Sequence, residues 1–530
     1  MRLSFPLVLI PFLSACATVP PLTPEQRAGL WWQDVSVLAA DDMEGRLTGT
    51  PGYQRAADYV VRQAAAAGLK PAGDNGYFQS VAFEEQSVAS EQSSAALVAG
   101  GAASPLRIPQ DIIISTRSGT RPQRVEAPLV FLGYGLHLPE AGHDDFAGID
   151  LKGKIAVVVG GGPADISGAL KSHARGERLR LLEERGAVGV ITLTTPKAVE
   201  VPWSRSMAQV TQTGMYFADP SIRDLKSDFF FASFNPEETE KLFVRSGRSF
   251  AEIAALSDAS KAVPRFELNQ SLRASVVSSR KLVSSNNVVA MLPGNDPALR
   301  NEYVVLSAHL DHLGMSAPIN GDPLYNGALD NAAGVSTLLD IARTLQSRRV
   351  RPKRSILFVF VTAEEKGLLG SSYFAQRPTV PNGSIVANLN FDMALPIFPL
   401  RSVIALGAEE SSLGGAAAEV GQSMGLPLVP DPFPERNSFT RSDQYSFIRQ
   451  GIPALAFKFG FAKDTPEAEI ERKWRSTHYH APSDDLSQPV AREDAIRLND
   501  FVAELTLRVA DAAERPQWLQ QSFFRRFAKN

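Results

Sequence analysis

Short, continuous apolar runs recur along the second half of the chain and alternate with segments of helical character. The runs that predict strands are NNVVAML, EYVVLSAH, SILFVFVTA, SIVANLNF, SVIAL and PALAF. Residues 331–345, 411–424 and 491–510 read as helices between or after them. Because continuous apolar runs are typical of strands buried on both faces, the alternation predicts an α/β fold with a mainly parallel central sheet flanked by helices.

A different pattern begins near residue 125, where short apolar strands are broken by glycine. The runs APLVFLGYG, GKIAVVVGGG and GAVGVITL, with a helix through residues 179–184, predict a small β-rich module. We place this module at residues 120–267, inserted into a discontinuous catalytic unit of residues 25–119 and 268–515. A C-terminal tail would follow at residues 516–530.

The N-terminal segment MRLSFPLVLIPFLSAC has one basic residue and then an apolar stretch from Leu3 to Leu13. This length is typical of an export signal and is too short to span a bilayer. The tetrapeptide LSAC resembles a bacterial lipobox, in which the cysteine becomes the lipidated first residue. We therefore expect residues 1–15 to be a lipoprotein signal peptide, Cys16 to be lipidated, and residues 16–24 to be a linker. The protein would be an exported bacterial lipoprotein, anchored to a membrane and facing the periplasm or the cell surface.

The composition of the chain bears on the number of hydrophobic cores, on charged partners and on disulfide bonds. The chain has 530 residues, 44% of them hydrophobic, so it can bury more than one core. Its 54 basic and 57 acidic residues give a net charge of -3, which provides no broad field for nucleic acid, and we expect none as a partner. Cys16 is the only cysteine, so no internal disulfide is expected.

Side chains of the types that bind metal ions lie where several predicted strands end or where the next segment begins. Because the carboxyl ends of parallel strands meet at one edge of an α/β sheet, we expect these side chains to lie close together. One of the histidines lies in the loop THYHAPSDD, where His478 is an alternative on spacing alone. The candidates are His309, Asp311, Asp330, Glu364, Glu365, Asp392 and His480.

Nitrogen and oxygen donors in this number suit two zinc ions that share one carboxylate and activate a water. In an extended strand His309 and Asp311 share a face, so we expect the Asp311 carboxylate to accept the second ring proton of His309. Glu364 and Glu365 are consecutive and cannot both face one point, so one would be a ligand and the other a base. Each feature alone is more often structural, but together they predict a metal centre.

Several motifs follow one another along the second half of the chain: AHLDHLG, NGALDNAAG, TAEEKGLLGS, NLNFDM, RSDQYSF with GIPALAF, and YHAPSD. Their order resembles that in the aminopeptidase Y-type family of two-zinc exopeptidases, which also contains the glutamate carboxypeptidases. The resemblance runs from about Asp41 to the C-terminal end. It implies a zinc-exopeptidase fold with a mainly parallel, mixed central sheet flanked by helices. It also implies two zinc ions, with Asp330 bridging both, His309 and Asp392 completing one site, and Glu365 and His480 completing the other.

The same resemblance implies roles around the metal ions. Glu364 would be the general base and Asp311 the orienting carboxylate. Arg441 would help to hold the substrate carbonyl, and Asp443 and Tyr445 would be pocket residues. The residue after Asp443 is a glutamine where many relatives have histidine, so the chain departs from the family pattern there.

The inserted module resembles a protease-associated domain, which we expect to act as a lid or spacer over the site. The whole predicts an enzyme that hydrolyses the N-terminal residue of peptide substrates. One alternative is a carboxypeptidase on the same scaffold, which would need additional cationic side chains to clamp a C-terminal carboxylate. Another is a non-catalytic surface receptor, which the presence of Glu364 and of every metal ligand disfavours. The sequence does not indicate an oligomeric state.

Overall fold

The computed structural model describes residues 22–115, 121–199, 201–208, 210 and 212–529. The predicted signal peptide at 1–15 and the predicted lipidation site Cys16 lie outside this part of the chain. Within it, no helix combines the length and the apolar character needed to cross a membrane.

The strands of the described residues are numbered in chain order. They are β1 (Lys70–Pro71), β2 (Phe78–Val88), β3 (Ser94–Ala99), β4 (Ala102–Leu106), β5 (Ile112–Ile114), β6 (Arg124–Phe131), β7 (His137–Leu138), β8 (His143–Asp144), β9 (Ile155–Val159), β10 (Gly189–Leu193), β11 (Gly214–Phe217), β12 (Phe230–Phe234), β13 (Phe266–Ser275), β14 (Ser278–Leu292), β15 (Tyr303–His309), β16 (Gly314–Ile319), β17 (Asp322–Tyr325), β18 (Ser355–Val361), β19 (Ile385–Asn390), β20 (Val403–Leu406) and β21 (Ala454–Phe459).

The α-helices of the same residues are also numbered in chain order. They are α1 (Pro24–Leu38), α2 (Pro51–Ala66), α3 (Gly168–Glu184), α4 (Trp203–Ala208), α5 (Phe250–Asp258), α6 (Ala333–Ser347), α7 (Leu369–Gln376), α8 (Leu413–Met424), α9 (Gln444–Ile448), α10 (Pro466–Thr477) and α11 (Arg492–Asp511).

The first sheet has nine strands in the order β11, β2, β14, β18, β15, β19, β21 and β20, with β1 paired to β14. Its central strands β18, β15, β19 and β21 run parallel, and the outer pairings are antiparallel. The fold is therefore α/β with a mixed central sheet. All the apolar runs in the second half of the sequence form strands of this sheet, and β15, β18 and β19 are buried along nearly their whole length.

Helices cover both faces of the first sheet. One face packs against α1, α2, α6, α8 and α11 through a large core that includes Trp31, Tyr53 and Phe501. The other face packs against α7 and α9 through Phe374 and Phe447, whose ring centroids lie 6.1 Å apart. This three-layer arrangement explains why the sequence runs are continuously apolar, since neither face of the central strands meets water.

A second sheet of eight strands has the order β4, β3, β13, β6, β9, β10, β12 and β5, with separate apolar cores on its two faces. It extends beyond the predicted module boundaries of 120 and 267, because β3 to β5 precede residue 120 and β13 continues to residue 275. β4 is mostly exposed, so this part of the sheet lacks the apolar run that would have marked it. In addition, β11 lies within 120–267 but pairs with β2 in the first sheet.

The predicted tail at 516–530 is packed against the first unit over its described part. Phe524 is fully buried beside Ile448 and Ala454. The indole N–H of Trp518 donates to the carbonyl of Gly451 at 2.9 Å. These contacts hold the end of the chain against α9 and β21.

Candidate metal centre

Three neighbouring parallel strands deliver most of the candidate ligands to one place. β15 pairs with β18 on one side and β19 on the other, so the loops that follow these strands meet at one edge of the sheet. His309 ends β15, the two glutamates at 364 and 365 follow β18, and Asp392 follows β19. Asp330 lies in a short π-helical turn, Ala328–Ala332, directly before α6. The edge predicted from the sequence is the edge at which these side chains converge.

Asp330 is the centre of the cluster. Its Oδ1 lies 3.3 Å from Nε2 of His309, which in turn lies 3.5 Å from Oδ1 of Asp392. Its Oδ2 lies 3.4 Å from Nε2 of His480, which lies 3.3 Å from Oε2 of Glu365. The two oxygens of one carboxylate therefore face two separate groups of donors.

A third histidine, His312, also belongs to the cluster, although it was not among the ligands predicted from the sequence. Its Nδ1 lies 2.9 Å from Oε1 of Glu365 and 4.0 Å from Oδ2 of Asp330, and its side chain is completely buried. The strand ends at His309, so the alternation of faces used for His309 and Asp311 does not extend to the following residues. The second histidine of AHLDHLG was the available signal.

The donors fit metal ions. His309, Asp330 and Asp392 form one set, and His312, Asp330 and Glu365 form another, each with ligand atoms within 4.8 Å of one another. In the described part of the chain, His309 Nε2, Asp330 Oδ2 and Asp392 Oδ1 are buried and have no hydrogen-bond partner. Because buried polar atoms are nearly always satisfied, these atoms are better explained as ligands of a cation.

Electrostatics supports the same conclusion. Burial lowers the pKa of His480, but the carboxylates of Glu365 and Asp330 outweigh burial and raise the pKa to about 10. Burial would raise the pKa of Glu365, yet the nearby His480 and His312 hold it well below its ordinary value. Buried carboxylates that raise the pKa of a neighbouring histidine to this extent also favour the binding of a cation.

Asp311 orients the site differently from the way that the sequence suggested. His309 Nδ1 lies 3.1 Å from the main-chain carbonyl oxygen of Asp311, not from its carboxylate. The carboxylate instead accepts the main-chain N–H groups of Glu364 at 3.0 Å and Glu365 at 3.3 Å, and the hydroxyl of Thr48 at 3.2 Å. The prediction of a carboxylate–histidine contact was therefore wrong, because Asp311 lies beyond the end of β15 and turns toward the end of β18.

The two consecutive glutamates face different surroundings. Glu365 is buried between His312 and His480, whereas Glu364 is partly exposed and lines the cavity above the cluster. Burial raises the pKa of Glu364 well above its ordinary value; His309 opposes this rise, and Glu365 and Asp392 add to it. A carboxyl group with a raised pKa that faces a cavity is suited to exchanging protons with a bound molecule.

The comparisons with known proteins identify this part of the chain. Residues 287–506, which contain every ligand of the cluster, match peptidase family M28. The match covers 220 of the 530 residues, and we call these residues the M28 region.

Curated relatives match this chain over part of their length. A probable leucine aminopeptidase 2 of Aspergillus oryzae is 31% identical over 218 residues, which are 38% of this chain and 40% of the relative. Aminopeptidase YwaD of Bacillus subtilis is 27% identical over 217 residues, which are 40% of this chain and 44% of the relative. The chain therefore matches less than half of the length of these relatives.

The fold as a whole also has a solved counterpart. An aminopeptidase from Aneurinibacillus sp. strain AM-1 superposes with a TM-score of 0.54 at 20% identity, covering 92% of this chain and 95% of that chain. At this identity the likeness concerns the fold alone.

Three residues of the RSDQYSF motif were predicted to contact substrate, and the structure separates them. Arg441 is exposed and lines the cavity above the cluster. Asp443 is fully buried and does not line that cavity; burial raises its pKa to about 7, His309 opposes the rise, and Asp392 and Asp311 add to it. The hydroxyl of Tyr445 lies 3.2 Å from Nδ1 of His173 in α3, also away from the cavity. Arg441 therefore lines the cavity directly above the cluster, and Tyr445 lines a larger space of about 830 Å³ that adjoins it.

Two further residues are engaged in structural contacts. Gln444 accepts a hydrogen bond from Asn390 at 2.8 Å and donates to the carbonyl of Phe439 at 2.9 Å, so its side chain points into the protein. His478 stacks on Trp474 with an angle of 10° between the rings. The loop therefore brings His480, and not His478, to the cluster.

The segment around α4 touches the loops that carry the ligands of the M28 region. Arg205 donates to the carbonyl of Tyr479 at 2.9 Å and to that of Ser476 at 2.7 Å, just before His480. The side-chain amide of Gln212 donates to the carbonyl of Leu313 at 2.6 Å, next to His312. The inserted segment therefore forms part of the wall around the metal centre.

Proposed function

We propose that the protein is a zinc-dependent aminopeptidase that removes the N-terminal residue of peptides. The observation that carries this proposal is the pair of donor sets that share Asp330 beneath a cavity lined by Glu364. It is supported by the M28 family match and by relatives that are named aminopeptidases.

In this proposal five residues hold two zinc ions. His309 and Asp392 would hold one, Glu365 and His480 would hold the other, and Asp330 would contribute a carboxylate oxygen to each. When bound, the ions would polarise the scissile carbonyl and lower the pKa of the attacking water. His312 would orient Glu365 through the contact between its Nδ1 and Oε1 of the carboxylate.

The protein groups supply proton transfer and positioning. Glu364 accepts a proton from the attacking water and passes it to the leaving amine as the peptide C–N bond breaks. Asp311 fixes the main chain of both glutamates by accepting their N–H groups. Arg441 is placed at the cavity, where its guanidinium can donate to the substrate carbonyl.

Free-amine and blocked peptides test this function. The zinc-loaded protein should hydrolyse short peptides with a free N-terminus, and acetylation of the N-terminus should abolish hydrolysis. Cleavage of the blocked peptide at its C-terminal bond would favour the carboxypeptidase alternative. Binding without cleavage of either peptide by the zinc-loaded protein would favour a receptor.

A further inference from the structure

We propose, on the basis of the function proposed above, that the N-terminal residue released by this enzyme is acidic. The small cavity above the metal centre would bind its side-chain carboxylate through Lys458, assisted by Arg436 and Arg475.

The charged lining of this cavity has a simple composition. Its acidic members, Asp330, Glu364, Glu365 and Asp392, all belong to the metal centre. Its remaining charged members besides His480 are all cationic: Arg436, Arg441, Lys458 and Arg475. Once two divalent ions offset the four carboxylates, the surroundings of a bound substrate are positive, which favours a negatively charged side chain.

Lys458 is the most informative of these cations. It lies near the carboxyl end of β21, on the strand next to β19 and therefore near Asp392. It is only partly exposed, and burial, with Arg475 adding to the effect, lowers its pKa to about 8, while Asp392, Glu471 and Asp431 oppose the change. In the part of the chain that the structure describes, no hydrogen bond or ion pair satisfies its ammonium group. Its ammonium group therefore remains available to a carboxylate of a bound ligand.

Two of these cations, Arg436 and Arg475, form ion pairs within the protein, whereas Lys458 forms none with the residues that the structure describes. Arg436 donates to both carboxylate oxygens of Glu471 at 2.9 and 3.0 Å, and Arg475 contacts the same carboxylate. Glu471 is thus already shared by two guanidinium groups, which it fixes at the cavity wall. Fixed guanidinium groups beside a lysine form a preorganised site for a carboxylate.

The size of the cavities indicates which part of the substrate lies there. The cavity above the metal centre has a volume of about 60 Å³. Two much larger spaces, of about 520 and 830 Å³, adjoin it through Arg441 and extend along the inserted segment. The longer part of a peptide needs the larger space, so the small cavity receives the terminal side chain.

The test compares isosteric substrates that differ only in charge. Glutamyl and glutaminyl 4-nitroanilides both have a free amine and lack a C-terminal carboxylate. For the zinc-loaded wild type, kcat/KM for the glutamyl substrate should exceed that for the glutaminyl substrate by about 10- to 100-fold, the usual worth of a hydrogen bond to a charged group. Leucyl 4-nitroanilide, which suits an apolar pocket, should be a poorer substrate than the glutamyl compound.

Variants assign the effect to the cavity. Lys458→Met should remove most of the glutamyl preference while the glutaminyl substrate is still hydrolysed, which shows that the variant is folded. The control Lys463→Met changes an exposed lysine on the loop after β21 and should retain the wild-type ratio.

The results separate the two proposals. Hydrolysis of leucyl or glutaminyl substrates without a glutamyl preference would overturn the acidic specificity and leave the aminopeptidase intact. A preference for peptides with a free rather than an amidated C-terminus, without a glutamyl preference, would also overturn the acidic specificity. Failure of the zinc-loaded protein to hydrolyse any of these free-amine substrates would overturn the aminopeptidase proposal and the specificity with it.

Discussion

Nδ1 of His312 lies 2.9 Å from Oε1 of Glu365, on the side opposite to the contact between Oε2 and His480. The carboxylate is therefore held between two imidazole rings whose centroids lie 6.1 Å apart. Under the proposed function one ring binds zinc and the other orients the ligand, as the partners of ligating carboxylates commonly do.

The first prediction separates these two histidines. Because His312 would orient Glu365, His312→Ala should weaken zinc affinity by about 10- to 100-fold but still allow two ions to bind at saturating zinc. His312→Asn, whose amide can replace Nδ1, should recover part of the affinity. His480→Ala should instead remove one ion. Zinc titration monitored by calorimetry distinguishes these outcomes; loss of an ion in both alanine variants would make His312 a ligand in its own right.

The second prediction concerns the paired glutamates. Glu364→Gln should keep both zinc ions and the fold while slowing turnover by about 10²- to 10⁴-fold, because a positioned base is lost. Glu365→Gln should lose or weaken zinc together with activity, and added zinc should restore part of the activity. Bound zinc and turnover are measured for both variants. Reversed behaviour would exchange the two roles, and two active variants with full zinc content would rule out the site.

The third prediction concerns membrane attachment, which we propose from the LSAC motif. Metabolic labelling with a lipid precursor should tag the wild-type protein, because the cysteine thiol is the acceptor. Cys16→Ser should not be labelled and should appear in the soluble fraction. Equal labelling of both proteins would contradict lipidation at this residue.

The central sheet was predictable because burial on both faces leaves a continuous apolar signal. The predicted runs match β14, β15, β18, β19, β20 and β21, and the predicted helix at 491–510 corresponds to α11 at Arg492–Asp511. The second sheet was harder to delimit, since β4 is exposed and β11 leaves the module to pair with β2. Edge strands of this kind have weak local patterns, so their pairing depends on contacts that are distant in sequence.

The metal centre was predictable at the level of residue types and strand ends, and less so in its detailed geometry. Strand topology explains why His309 and Asp392 meet, as the positions of both residues at strand ends predicted. The turn after β15 was not readable, and it decides that the carbonyl of Asp311, not its carboxylate, contacts His309. The same turn brings His312 to Glu365. The burial of Asp443 likewise depends on the packing of α9, which no local motif specifies.

Zinc stoichiometry measured together with activity tests whether the protein has a two-zinc centre. After chelation and dialysis, the protein should lose hydrolysis of free-amine peptides, and titration with zinc should restore activity as two ions bind per chain. Asp330→Asn should prevent this recovery, because the bridging carboxylate serves both ions. Full activity in the metal-free protein would contradict the two-zinc centre. Activity that reaches its maximum when a single zinc ion is bound per chain would contradict it as well.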